Sequence, residues 1–151
     1  MRALGIDFGE RRIGLAIGDD ATGVAVPLDV IERTTDRRAV YQIADLSRRE
    51  DIDLLVVGEP RDRLDPTAPR AEVDRVHRFG AKLEKATRLP VRFLDETLTT
   101  VEAEARLEAA GDGRTRRGDR LDAVAAQVLL QEALELGLQA LGLPCSPETE
   151  E

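Results

Sequence analysis

Acidic residues occupy three places in this chain where an apolar residue would be easier to bury. Asp7 ends an apolar run, Asp95 and Glu96 end another, and Asp122 lies within the apolar stretch LDAVAAQVLL. Carboxylates that converge repel one another, and burial raises the cost further. Such a group persists only if cations fill it, and oxygen ligands without His or Cys suit Mg²⁺ or Mn²⁺. Two such ions activate water against a phosphodiester, so the pattern predicts a metal-dependent nuclease in which Asp7 bridges the ions.

Two positions in this acidic set have alternative interpretations. Adjacent strand residues point to opposite faces, so only one of Asp95 and Glu96 can face the ions. Asp119 follows a glycine at the expected start of the last helix, where an N-cap is the usual role of Asp. However, Asp119 and Asp122 are three residues apart, a spacing that places both on one helical face. We therefore keep Asp119 as a secondary candidate for a metal ligand.

Arginines follow the first acidic residue and precede the last one. They are candidates for contacts with the phosphates of a nucleic acid, although a solvated turn or loop would show the same composition: Arg11, Arg12, Arg114, Arg116, Arg117 and Arg120. The chain has a net charge of −8 and only 3% aromatic residues. Stacking on many unpaired bases is therefore not expected, and contacts with the sugar-phosphate backbone are. The single histidine, His77, is predicted to lie on the surface of a helix.

The elements that must position these residues are indicated by hydrophobic periodicity. Thr34 and Thr35 are the N-cap candidates for the first helix. Strands are expected over 2–7, 13–17, 24–31, 52–58 and 91–94, and helices over 40–47, 73–83, 101–108 and about 119–136, with a proline-bearing loop over 61–70. The first three strands have short connections and must form an antiparallel meander. The order predicts an α/β fold, a five-stranded mixed sheet with helices on both faces, as in ribonuclease H-like proteins. A flavodoxin-like fold would alternate strand and helix from the start.

Length and composition indicate a single domain of ordinary size. We expect the folded domain to cover residues 1–143 and the acidic segment 144–151 to be a disordered tail. No apolar run approaches the ~20 residues of a membrane span. The single cysteine, Cys145, excludes an internal disulfide, which favours a cytoplasmic protein;.

The sequence resembles the bacterial YqgF (RuvX) family of pre-16S rRNA nucleases, which are also described as Holliday-junction-resolvase-like. The resemblance rests on the segments IDFGERRIGLAIGD, LLVVGEP, FLDETLTTVEA and LDAVAAQVLL and covers roughly residues 3–135. It implies a ribonuclease H-like fold, dependence on Mg²⁺ or Mn²⁺, and catalytic acids at Asp7, Glu96 and Asp122. Structured RNA is then the favoured substrate and branched DNA the alternative. Resolving a four-way junction would require two active sites and hence a homodimer.

Two residues depart from the family pattern. Thr97 replaces an arginine that usually follows the Asp-Glu pair, and Glu59 stands where the family usually has Leu. The first change removes a phosphate contact, and the second would either repel the substrate or add a metal ligand. Both leave open a non-catalytic nucleic-acid-binding or ribosome-assembly factor. A third alternative is phosphate transfer from ATP, because actin-like kinases also begin with an Asp-x-Gly hairpin, but they need two such lobes.

Overall fold

A five-stranded mixed sheet organises the protein. The computed structural model describes residues 1–9, 11–59, 70–95 and 117–141, with the side chains of 70, 71, 117–121 and 140 left out. The strands are β1 Arg2–Phe8, β2 Arg12–Asp19, β3 Val24–Glu32, β4 Leu54–Glu59 and β5 Val91–Asp95. Their spatial order is β3-β2-β1-β4-β5, with β1–β2 and β2–β3 antiparallel and β1–β4 and β4–β5 parallel. The predicted meander and mixed sheet are confirmed.

Within the described ranges, three helices cover the two faces of this sheet. They are α1 Asp36–Arg49, α2 Arg70–Thr87 and α3 Arg117–Leu136, followed by a 3₁₀ turn over Leu138–Ala140. The N-cap of α1 is Thr35, whose hydroxyl accepts a hydrogen bond from the Arg38 amide, as one of the two predictions had it;. None of the helices within the described ranges is long and apolar enough to cross a membrane.

Strand alternation divides β1 between two separate cores. Leu4, Ile6 and Phe8 face α1 and α2 and belong to the larger core;. Ala3 faces α3 and belongs to the second core, together with α3 residues such as Leu129. Odd-numbered positions of β1 therefore lie on the α3 face, and this parity includes Asp7.

Glycines on the α3 face let that helix come unusually close to the sheet. A Cβ added at Gly14 would lie 1.9 Å from the main-chain oxygen of Asp122. A Cβ added at Gly5 would lie 2.9 Å from the Leu130 Cβ and 3.1 Å from the Ala126 oxygen. The contacting helix residues are spaced by four, so one stripe of α3 lies in a groove that only glycines leave open.

The outer edge of β3 is closed by the same helix. Gln131 of α3 accepts a hydrogen bond from the Ala25 amide at 2.9 Å and donates one to the Gly23 carbonyl. Gln127 donates to the Ala25 carbonyl at 3.0 Å. The next outward position of the strand is Pro27, which has no amide proton to offer;. This edge is therefore poorly suited to pairing with a strand of another chain.

Two boundaries differ from the sequence predictions. Helix α3 begins at Arg117, so Asp119 is the third residue of the helix and the N-cap prediction is wrong. Helix α2 begins at Arg70, the last residue of the predicted loop. The rest of that loop, the helix predicted over 101–108 and the predicted tail lie outside the described residues.

Candidate active site

Asp7 lies at the carboxyl end of β1, on the α3 face of the sheet. Its partner across the antiparallel pair with β2 is Gly14. Directly opposed residues have their Cα atoms roughly 4.5–5.5 Å apart and direct their side chains to the same face. Because Gly14 has no side chain, the space beside Asp7 on this face of the sheet is open to the helix that packs over it.

The residue above Gly14 is Asp122. Its main-chain oxygen occupies the place that a Cβ of Gly14 would need. The two aspartates therefore sit on either side of one glycine, although 115 positions separate them in the sequence. The last helix thus brings Asp122 to the end of β1, and the small residue that permits this approach is in the sheet.

A guanidinium group neutralises one of these carboxylates. Arg12 Nε donates to Asp122 Oδ2 at 2.9 Å, and the Asp122 side chain is only 26% exposed. Arg12 is two residues from Gly14 in β2 and so shares its face. A cation at this point fits the prediction that the acidic site needs positive charge, but here the charge comes from the chain itself.

The described residues include only two of the three predicted metal ligands. Carboxylate oxygens at Asp7 and Asp122 are the donors that Mg²⁺ and Mn²⁺ prefer. Within the described ranges, no three Asp, Glu, His or Cys side chains are grouped so that they could hold an ion. The third predicted ligand, Glu96, directly follows β5 in the sequence and lies outside those ranges. The oxygen donors of Asp7 and Asp122 suit a divalent ion, and a third carboxylate would be needed to complete the predicted set of ligands.

Glu59 lies on the face of the sheet opposite to Asp7, and this position corrects the role of metal ligand that was considered for it. Alternation from Val57, a residue of the larger core, directs the Glu59 side chain toward α2;. There its carboxylate meets Nε2 of His77 in a direct hydrogen-bonding contact. A role as metal ligand beside Asp7 is therefore wrong. Asp95, which is the register partner of Glu59 in β5, shares this face.

His77 is not the ordinary surface residue that the sequence suggested. Its side chain is 26% exposed, it contacts Glu59, and its ring stacks on Phe93 at 4.2 Å with an angle of 11° between the planes. The stacking and the contact with Glu59 tie α2 to β4 and β5. The sequence around His77, which stands two residues before the buried Phe79, gave no signal for either contact.

The predicted phosphate-binding arginines are only partly described. Arg11 is exposed beside the β1–β2 turn, and its carbonyl accepts a hydrogen bond from the Arg33 amide. Arg117 and Arg120 belong to the first turn of α3, with side chains outside the description. Arg114 and Arg116 lie outside the described residues altogether.

A family comparison agrees with this geometry. The model of the RuvX family, described as Holliday junction resolvase, matches residues 1–136. The chain belongs to the RuvX family. Family membership makes it a nuclease, a hydrolase that acts on phosphodiester bonds, and the predicted family and enzyme class are confirmed.

Individual RuvX relatives and one solved structure point the same way. A protein of Syntrophus aciditrophicus named "Putative pre-16S rRNA nuclease" is 41% identical over 135 residues, covering 89% of each chain. A protein of the same name from Ruegeria is 37% identical, covering 87% of this chain and 83% of the relative. The structure of Thermus thermophilus RuvC in complex with a Holliday junction substrate matches with a TM-score of 0.60 at 17% identity, over 93% of this chain and 98% of that one. At that identity the likeness shows the ribonuclease H-like fold alone, which confirms the predicted fold.

Sequence reasoning overlooked Gly14 and the Arg12–Asp122 ion pair. In the segment GLAIG of β2, the residues at 14, 16 and 18 are Gly, Ala and Gly, so every side chain on one face of the strand is small or absent. This row of small residues was the available signal that a helix packs closely against that face of β2. Nothing in the sequence showed which of the two adjacent arginines would reach Asp122.

Proposed function

We propose that this RuvX-family nuclease uses Mg²⁺ or Mn²⁺ to hydrolyse phosphodiester bonds in structured RNA, with the precursor of 16S ribosomal RNA as the leading substrate. The observation that carries the proposal is the convergence of Asp7 and Asp122 on Gly14. The name that its relatives share, "Putative pre-16S rRNA nuclease", supports RNA as the substrate class. We place the activity in the cytoplasm.

Asp7, Asp122 and Glu96 would hold two divalent ions, which would supply a nucleophilic hydroxide and stabilise the leaving oxygen. Asp7 would be shared by both ions, because it lies at the strand end that α3 approaches with Asp122. Asp119, one turn before Asp122, remains a secondary candidate. Glu96 directly follows β5 in the sequence, and the family resemblance selects it rather than Asp95 as the third ligand.

Arg12 would have a task besides the phosphate contact that the sequence suggested. In contact with Asp122 it fixes the orientation of that carboxylate and offsets its charge. A carboxylate oriented by a second group loses less freedom when it binds its ligand. Arg11, Arg114, Arg116, Arg117 and Arg120 remain the proposed contacts with substrate phosphates.

Branched DNA is the second candidate substrate, favoured by the description of the matching family as a Holliday junction resolvase. Cutting a four-way junction symmetrically would need two copies of the site in a homodimer. Pairing through the first half of the β3 edge would not form such a dimer, because the glutamines of α3 and Pro27 occupy that part of the edge.

The deciding experiment incubates labelled duplex RNA, single-stranded RNA and a DNA four-way junction with the protein in Mg²⁺, in Mn²⁺ and in chelator. We expect cleavage of structured RNA that needs the ion and that Asp7→Asn abolishes. Melting temperature is measured in parallel, and Mn²⁺ should raise it for the wild type but not for Asp7→Asn. Equal cleavage by wild type and variant would indicate a contaminant and end the enzyme proposal. Binding without cleavage, together with no Mn²⁺ effect, would favour the non-catalytic factor.

A further inference from the structure

A second group of cations surrounds Phe8, the residue after Asp7. Phe8 lies on the opposite face of the sheet, where its ring stacks on Phe79 of α2 at 4.3 Å. The Arg33 guanidinium lies 4.4 Å from the centre of the same ring, and the Arg75 guanidinium lies 5.8 Å from it. Two guanidinium groups thus share one aromatic ring at the strand end that carries the candidate active site.

These two arginines are held differently. Arg33 is tied into the fold, because it donates to Asp36 at 3.3 Å and to the Gly9 carbonyl at 3.5 Å. The Asp36 carboxylate also forms an ion pair with Lys82 Nζ at 3.5 Å. Arg75 has no ion pair or hydrogen bond among the described residues, and its Nε is buried without an acceptor.

A buried donor without an acceptor is costly, and a native structure that keeps one needs a reason for it. Arg75 cannot lose its charge to reduce that cost, because the guanidinium stays protonated in proteins. The Arg75 guanidinium lies over the Phe8 ring, and its two Nη groups, unlike the buried Nε, form the end of the planar fork that can engage an anion at two points;. The chemistry that matches such a fork is a carboxylate or a phosphate.

The place of the cluster selects between these anions. Arg33 touches the carbonyl of Gly9, in the β1–β2 turn, so the cluster lies at the end of β1 where Asp7 is found. We propose that a nucleic-acid strand with one phosphate at Asp7 passes over this strand end toward the α2 face, and that Arg75, with Arg33 beside it, binds a backbone phosphate next to the one that is cut.

This inference rests on the proposed nuclease function and is tested by binding, separately from cleavage. The parent protein is Asp7→Asn, so that labelled duplex RNA stays intact, and its affinity is measured over a range of salt concentrations. Adding Arg75→Met removes the charge while keeping a long unbranched stem against Phe8. The matched control adds Arg48→Met, which removes an equally charged but exposed arginine of α1 that pairs with Asp45.

We expect Arg75→Met to weaken binding by about tenfold and to lower the slope of log affinity against log salt by about 0.7 to 0.9, the loss of one phosphate contact. Arg48→Met should change neither by a comparable amount. The melting temperature of the RNA-free protein should stay the same or rise in Arg75→Met, because a buried donor without an acceptor has been removed. A purely structural arginine would show the reverse, a lower melting temperature with an unchanged salt slope.

The outcomes separate the two proposals. If the wild type cleaves and the parent binds, but Arg75→Met behaves like Arg48→Met, the phosphate site is wrong and the nuclease stands. If the parent binds no nucleic acid and the wild type cuts none, both are wrong. Should Arg75→Met fail to fold, Arg75→Lys decides: the charge remains and the fork is lost, so affinity must fall at an unchanged slope, and unchanged affinity refutes the site.

Discussion

Replacing Gly14 by alanine tests the contact on which the candidate active site depends. An added Cβ would lie 1.9 Å from the Asp122 oxygen and 2.4 Å from its carbonyl carbon, whereas ordinary contact begins at 3.4 Å. The obstructing atoms are main chain and cannot rotate away. Helix α3 must therefore retreat by roughly 1.5 Å, or β2 must bend, and either change disturbs well-packed core residues.

The expected cost follows from comparison with the other glycines. Overpacking a core costs about 1–3 kcal/mol, and the backbone obstruction at Gly14 places it at about 3 kcal/mol. Gly5→Ala, which meets the Leu130 Cβ at 2.9 Å, should cost about 2 kcal/mol, and Gly18→Ala, which meets the flexible end of Leu134 at 3.0 Å, about 1 kcal/mol;. Gly23 has no atom within 4 Å but has φ of +73°, so Gly23→Ala should cost about 1 kcal/mol through the backbone alone;.

Urea unfolding followed by circular dichroism measures these free energies, and Mn²⁺-dependent cleavage of structured RNA measures the site. A displacement of about 1 Å can reduce a rate by about 100-fold, so Gly14→Ala should lose far more activity than Gly18→Ala. In a strand without such a contact, alanine would be more stable than glycine by about 0.5–1 kcal/mol. A Gly14→Ala protein that is as stable and active as the wild type would refute the close approach of Asp122.

Three further predictions concern contacts of the described residues. Arg12→Gln should lower the unfolding free energy by about 1 kcal/mol without metal, because the Asp122 carboxylate is partly buried and loses this partner;. The loss should be smaller in Mn²⁺, because the bound ion would then neutralise Asp122. An equal loss in both conditions would contradict this prediction. A double-mutant cycle of Glu59→Gln and His77→Gln should give a coupling energy of about 1 kcal/mol;. The Glu59→Gln protein should still show a rise in melting temperature when Mn²⁺ is added. Loss of that rise would restore the role of Glu59 as a metal ligand. Gln131→Ala should cost about 1 kcal/mol in urea unfolding, because it frees a donor of β3, and a neutral result would show that water serves as well;.

Local patterns in the sequence carried most of the fold. Alternation and short connections identified the meander, and the near-continuous apolar run that became β4 indicated a strand covered on both faces;. The threonine before α1 identified its start. These features depend on neighbouring residues, which a sequence displays directly. The start of α3 was missed because Gly118 and Asp119 favour a cap when read locally, and the helix nevertheless includes them;.

The sequence by itself determined the order of elements, the choice of acidic residues and the family resemblance, because periodicity and motifs are properties of short segments. Only the tertiary structure decided that Gly14 brings Asp7 and Asp122 together, that Arg12 pairs with Asp122, and that Glu59 faces away from them. The physical reason is that each of these contacts joins segments far apart in the chain. Which side chains meet there depends on strand register and on how near a helix can approach, and neither quantity is written in any one segment.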